Sequence, residues 1–286
     1  MNNALEVSHL SKDYGAFKLD DVSFTVPGGT IMGLIGENGA GKSTTIKCIL
    51  NLIRRDGGEI TVFGRDNRKE ERAVKGDIGV VLDEVLFHDV LRPRQVGKIL
   101  AGLYPNWDMA LFDRYLEKFD LTGKKTVKEF SRGMKMKLAI GAAFAAKPRL
   151  LILDEATSGL DPVVRDEILD EFLEFIQDED HAILISSHIT SDLEKAADYI
   201  TYLHNGRVAV SGAKDELLDT YGKLVCGRSE LEQVDRALLA GSRVGQFGCE
   251  ALVKDRRAFA RRYPALTVDP ATLEDIMVFT GKGDAQ

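Results

Sequence analysis

Basic residues are outnumbered in this chain: 38 lysines and arginines stand against 45 aspartates and glutamates, a formal net charge of −7 over 286 residues. The corresponding pI is about 5.4. Nucleic acids are held by clustered cations, so, a local basic patch aside, this balance argues against a nucleic-acid partner. Cysteine is scarce. Cys48, Cys226 and Cys249 are the only three, too few and too scattered for a disulfide framework or a zinc site, and a reducing, cytosolic compartment follows. Cys48 falls on a predicted helix, where it reads as a small buried apolar residue. Long apolar runs are missing as well. No stretch reaches the 18 or so apolar residues of a membrane span; the nearest, LAIGAAFAA (138–146), is short and has a lysine on each side. The N-terminal MNNALEVSHLSKDY has neither a basic nor an apolar signal region, so no secretory signal is expected. Repeats and heptads are absent too. Any link to a membrane must therefore pass through a partner.

The most informative stretch is GENGAGKST (36–44). It has P-loop spacing, in which backbone N–H groups converge on phosphate oxygens. Gly36, Glu37, Asn38, Gly39, Ala40, Gly41 and Thr44 form the cradle, Lys42 adds a charge for the β- and γ-phosphates, and the Ser43 hydroxyl suits Mg2+. The context fits, because TIMGLIG (30–36) reads as a buried strand and STTIKCILNLI (43–53) as a helix whose N-terminus faces the anion.

LLILDE (150–155) is a second apolar strand, ending in two carboxylates. In an open α/β sheet such a strand end borders the ligand crevice. Asp154 would hold Mg2+ and Glu155 would polarise the attacking water as general base. A third apolar strand, HAILISSH (181–188), ends at His188, whose imidazole can hydrogen-bond the γ-phosphate and report its presence. In FSRGMKMK (130–137), Ser131 and Gly133 open a helix, which makes a second anion site. One nucleotide needs no second cradle. This helix end therefore either serves a nucleotide held by another subunit or is a plain cap. SGLD (158–161), ending at Asp161, would lie near that shared surface.

Between these motifs, strands alternate with helices. ALEVSHLSKDYGAF and KLDDVSFTVPGG suggest an antiparallel N-terminal sheet, and GEITVFG (58–64) and DIGVVL (77–82) read as strands around a charged helix at 66–76. Helices are predicted over 92–104, 108–119, 131–146 and 161–177, the last with Asp161 at its cap and Pro162 at its first position. ITSDLEKAA is helical, and residues 197–210 form a hairpin turning at Asn205-Gly206. This pattern predicts an α/β fold with a mostly parallel core sheet and a helical insert over about 84–146. Residues 1–220 form the main domain. Residues 221–286 form a small α+β appendage with a helix over 229–240, a last helix from Asp269-Pro270 to Phe279, and no catalytic motif.

With these motifs in this order, residues 4–220 resemble the nucleotide-binding subunit of ATP-binding-cassette (ABC) transporters. FSRGM is similar to the family's LSGGQ signature at Ser131 and Gly133, SGLD to its D-loop, and His188 to its switch histidine. Tyr14 matches the aromatic that stacks on adenine, against the simpler reading of a core tyrosine. The resemblance implies an Mg2+-dependent ATPase working as a head-to-tail sandwich dimer, homomeric or heteromeric, on the inner face of the cell membrane. An integral membrane permease would be its partner and its only membrane contact. GMKMKLAI and the appendage look like the type-2 exporter branch, which includes bacitracin-resistance-like and modulin-peptide exporters. Four positions depart from the family. Asp83 stands where the Q-loop glutamine, a metal ligand, is expected, with Glu84 as the alternative. Arg132 replaces a signature glycine, Met134 the signature glutamine, and Ala156 the proline after the catalytic glutamate. A soluble non-transport ABC ATPase and an ATP-binding regulator with weak hydrolysis are the alternatives.

Overall fold

In the computed structural model of this chain the described residues are 3–83, 87–246 and 248–281. Glu84, the alternative to Asp83, lies outside them. The chain begins with two long strands, β1 (Asn3–Asp13) and β2 (Lys18–Pro27), then the short strand β3 (Ile31–Ile35) and helix α1 (Lys42–Ile49). Strands β4 (Gly57–Val62) and β5 (Arg65–Asp66) complete an antiparallel N-terminal sheet of order β2-β1-β4-β5. Helix α2 (Glu71–Gly76) leads into β6 (Ile78–Val81). The helix expected over 66–76 starts late, because the Asp66 carboxylate accepts the N–H groups of Arg68 and Lys69 at 2.9 Å each and closes a turn there.

The helical insert follows as α3 (Pro93–Ala101), α4 (Met109–Lys118) and α5 (Arg132–Ala145). Strand β7 (Leu150–Asp154), α6 (Pro162–Phe175), β8 (Ala182–Ser187), α7 (Thr190–Ala196) and the hairpin β9 (Tyr199–His204) and β10 (Arg207–Ala213) complete the central sheet. Its order is β10-β9-β3-β8-β7-β6. All of its pairings are parallel except that of the edge strand β10. Helices cover both faces, so β3, β7 and β8 are buried at every residue, as their unbroken apolar runs require. Alternate residues then serve two cores. Ile31, Ile35, Leu151 and Leu153 pack with the insert helices and α6, while Met32, Leu34, Leu150 and Ile152 pack with α1 and the N-terminal sheet. Cys48 is buried in the second core, and burial pushes its thiol pKa up. Nine of the residues of α5 between Met136 and Ala145 are buried, which explains the apolar run 138–146 as a core helix. Among the described residues no helix is long and apolar enough to cross a membrane.

After α8 (Lys214–Thr220) come β11 (Gly222–Cys226), α9 (Arg228–Leu231), β12 (Leu239–Val244), β13 (Cys249–Val253), α10 (Arg256–Arg262), β14 (Val268–Pro270) and α11 (Leu273–Thr280). The strands form an antiparallel sheet, β12-β13-β11-β14. Two expectations are corrected here. The helix over 229–240 breaks after Leu231, and its end becomes β12, because pairing with β13 outweighs local helix propensity. The last helix begins at Leu273, not at Asp269-Pro270. Those two residues pair with β11, and the helix starts where Thr272 caps it, its hydroxyl accepting the Asp275 N–H at 3.0 Å. Helix α11 sends Leu273, Ile276 and Phe279 into the main core, and the Leu273 N–H donates to Glu194 Oε1 at 2.8 Å.

Candidate functional site

The parallel strands β3, β7 and β8 all end at one edge of the sheet, and the chemistry gathers there. The turn between β3 and α1 is tight enough to exclude side chains at two points. A Cβ on Gly36 would lie 2.6 Å from the Leu203 carbonyl oxygen, and one on Gly41, which has a left-handed φ of 112°, would lie 2.5 Å from Leu19 Cδ2. Gly41 caps α1 without a side chain, and no side-chain hydrogen bond closes that helix end. The first-turn N–H groups of Lys42, Ser43 and Thr44 are left for an anion.

Lys42 is 5% exposed. Its Nζ donates to the Gly36 carbonyl at 2.7 Å and to the Glu37 carbonyl at 3.3 Å, and lies 3.2 Å from Glu155 Oε1. An ammonium this buried persists only with such partners. The other carboxylate oxygen, Glu155 Oε2, is 2.7 Å from His188 Nδ1. Glu155 thus joins Lys42 to the histidine after β8. Its backbone has a φ of 52°, a strain on the order of 1–3 kcal/mol for a non-glycine residue. This geometry turns the Glu155 N–H toward the carbonyl and the hydroxyl of Ser186, both at 3.1 Å.

Asp154, the last residue of β7, is 6% exposed, and its Oδ1 accepts from Ser186 Oγ at 2.6 Å. Ser186 therefore fixes both acids of the pair, through a side chain in one case and the backbone in the other. Its role depends on the β7–β8 register, which sets Asp154 opposite Ser186. The only sequence signal was a pair of serines, Ser186 and Ser187, closing an apolar strand. Ser186→Ala is expected to lower unfolding free energy by about 1–3 kcal/mol, because Asp154 Oδ1 loses its donor inside the protein. A denaturant titration measures that loss.

The donor set suits a small hard cation. Ser43 and Asp154 offer oxygen only, and among the described residues no group of three or more His, Cys, Asp or Glu could hold a metal alone. A cation here would take its other ligands from phosphate and water, as Mg2+ does. Tyr14 lies in the β1–β2 turn, 53% exposed, with the Lys12 ammonium 5.3 Å from its ring centre. The core-tyrosine reading therefore fails, and a face is available for stacking.

Ser131, Gly133 and Asp161 form a separate group. Ser131 caps α5 by accepting the Met134 N–H at 3.2 Å, and Asp161 caps α6 by accepting the Val164 N–H at 3.1 Å. Both residues are exposed. Together with Gly133, Gly159 and Leu160 they line an open cleft of about 540 Å³. Ser131 is thus a cap that still faces solvent. Asp83, just beyond β6, accepts from Arg132 at 2.7 Å. A chain of contacts that sequence reasoning missed runs from Glu37 to the C-terminal segment: Glu37 Oε1 is 3.0 Å from His204 Nδ1, which lies 3.4 Å from the buried Tyr202 hydroxyl, and that hydroxyl donates to the Met277 carbonyl at 3.1 Å. No local motif marks it.

Known proteins resemble about three-quarters of this chain. Residues 19–158 match the family described as ABC transporter. The ABC transporter ATP-binding protein YtrB of Bacillus subtilis (strain 168) is 33% identical over 221 residues, 77% of this chain and 75% of that protein. The bacitracin transport ATP-binding protein BcrA of Bacillus licheniformis is 35% identical over 211 residues, 73% of this chain and 69% of its own length. The lantibiotic transport ATP-binding protein SrtF of Streptococcus pyogenes is 35% identical over 215 residues, 74% of this chain and 91% of its own. A solved ATP-binding subunit of an ABC transporter superposes with a TM-score of 0.68 at 33% identity, over 75% of this chain and 91% of that structure.

Proposed function

The chain belongs to the family of ABC transporter ATP-binding proteins, and from that premise we propose that it powers an exporter by closing on ATP as a head-to-tail dimer. It is an ATPase subunit that drives a membrane transporter. The export direction is supported by its similarity to a bacitracin transport protein and a lantibiotic transport protein.

One observation carries the reading. Glu155 stands between Lys42, in the phosphate cradle, and His188, with its backbone fixed by Ser186. Glu155 accepts the proton of the attacking water, Lys42 draws charge from the terminal phosphate, and His188 holds the Glu155 carboxylate toward it. Tyr14 stacks on the adenine. Mg2+ would be held by Ser43 and Asp154, and when bound it neutralises phosphate charge. Asp83, one of whose carboxylate oxygens is held by Arg132, would add a further oxygen ligand. Ser131, Gly133 and Asp161 complete the site of the partner subunit. Residues 1–220 carry this chemistry, and residues 221–286 act as an accessory unit.

The permease docks in the groove between α2 and the end of α3, which is about 1100 Å³. Leu52 and Leu103 are exposed there, at 56% and 71%, beside Arg68, Lys69, Arg72 and Lys75. Apolar surface rimmed by cations suits an amphipathic permease segment with acidic residues. This contact places the subunit on the inner membrane face, with no direct hold on lipid or nucleic acid.

Phosphate release by the purified protein tests the proposal. Lys42→Ala is expected to abolish it, because the cradle loses its cation. Turnover equal to that of Lys42→Ala would instead support an ATP-binding regulator.

A further inference from the structure

Helix α11 belongs to the C-terminal segment, yet its end reaches the phosphate cradle. A Cβ on Gly281 would lie 3.3 Å from Glu37 Oε1 and 2.7 Å from the Tyr202 hydroxyl. The helix is held from both sides. Leu273, Ile276 and Phe279 pack into the main core. On the other side Asp275 pairs with Lys223 of β11 at 2.9 Å, and β12 passes so close that a Cβ on Gly241 would strike the Phe279 carbonyl. Strand β9 runs between helix and cradle. Its buried Tyr202 hydroxyl donates to the Met277 carbonyl at 3.1 Å and lies 3.4 Å from His204 Nδ1. His204 Nε2 accepts from Asn205 Nδ2 at 2.8 Å, which assigns the hydrogen to Nδ1, the donor to Glu37 Oε1 at 3.0 Å. The same hairpin holds the cradle a second time, where the Gly206 N–H donates to the Ala40 carbonyl at 3.1 Å. Glu37 in turn shapes the cradle with its backbone: its carbonyl accepts the Ala40 N–H at 3.1 Å and Lys42 Nζ at 3.3 Å. A cradle already in its binding shape gives up less freedom when phosphate arrives, so it binds more tightly.

We propose that His204 is a positioning residue for the phosphate cradle, and that through Tyr202 it makes the affinity for nucleotide depend on the seating of α11. The inference rests on the reading of residues 36–44 as that cradle. It gives the C-terminal segment a route to the nucleotide within one chain, with no second copy involved. Coupling between sites is reciprocal, so nucleotide in the cradle tightens the seating of α11 by the same factor.

The experiment uses the full chain and a fluorescent ADP analogue, which reports on the cradle without turnover. His204→Leu is expected to weaken binding about fivefold, the contribution of one hydrogen bond. His204→Asn, whose amide nitrogen stands as many bonds from Cβ as Nδ1 does, should restore most of that loss. Gly281 has a helical φ of −67°, so its backbone accepts alanine. The methyl group of Gly281→Ala meets Tyr202 and Glu37 instead, and should weaken binding about as much. Combined with His204→Leu it should cost no more than His204→Leu alone, because both act through one link. In the native chain, saturating Mg-ADP should slow amide hydrogen exchange in α11 about fivefold, as reciprocity requires. Gly281→Ala binding as tightly as the native chain, two effects that multiply, no rescue by asparagine, or α11 exchange indifferent to Mg-ADP would each overturn the inference alone. Lys42→Ala binding the analogue as tightly as the native chain would overturn the cradle reading and the inference with it.

Discussion

Glu155→Gln is expected to lower ATP turnover about 10²–10⁴-fold while leaving nucleotide binding intact. The loss corresponds to roughly 3–5 kcal/mol in the activation barrier, at 1.36 kcal/mol per decade. Its cause is specific. Glutamine keeps the shape of the side chain and can still meet His188 Nδ1, 2.7 Å away in the native chain, but it cannot take a proton from water. Lys42 exchanges its ion pair with Glu155 Oε1, 3.2 Å away, for a neutral amide oxygen, and the rest of the phosphate cradle does not depend on the carboxylate. Lys42 still donates to the carbonyls of Gly36 and Glu37, and Gly36 and Gly41 keep the turn. Phosphate release measures the turnover, and equilibrium titration with a fluorescent ATP analogue measures binding. Equal losses in both would move Glu155 from base to binding residue.

The second large effect is expected at the cleft on α5. Ser131→Arg should abolish cooperative hydrolysis and leave ATP binding by the monomer unchanged. Ser131 is exposed and its hydroxyl accepts from the Met134 N–H. Arginine forfeits that cap at about 1 kcal/mol, a small loss for a 14-residue helix mostly buried in the main core. In the proposed dimer the added bulk fills the surface that the partner's nucleotide would reach. Among the described residues no hydrogen bond or ion pair links Ser131 to Lys42, Asp154 or Glu155, so the local site is expected to stay intact. A parallel loss of monomer binding would mean that this helix end serves its own nucleotide.

These two sites were legible for different reasons. A phosphate cradle is a local object. Its glycines, lysine and serine lie within nine residues, and the strand and helix around them are dictated by adjacent sequence, so positions 36–44 stood out as a candidate cradle without a structure. The parallel core was legible for a related reason: strands buried on both faces must be largely apolar, as IMGLI, LLIL and AILI are. His188 could be chosen only by its place in a series of motifs, and its contact with Glu155 follows from β7 and β8 being neighbours. Ser186 was invisible because its value depends on register, which no local pattern shows. Asp83 and Arg132 stood out singly as departures, but their pairing spans the core strand and the insert helix. In the C-terminal segment, local propensity gave way to pairing. Residues 239–244 became a strand because β13 lies beside them, and residues 269–270 were drawn into the sheet by β11.

The central claim is that nucleotide is enclosed between two subunits, each completing the other's site. The molar mass of the Glu155→Gln chain in solution tests it most directly. The single chain is 31.5 kDa. The account predicts twice that mass with Mg-ATP, the single-chain mass with Mg-ADP, and the single-chain mass in both when Ser131→Arg is added. A single-chain mass at saturating ATP, with nucleotide demonstrably bound, would contradict it.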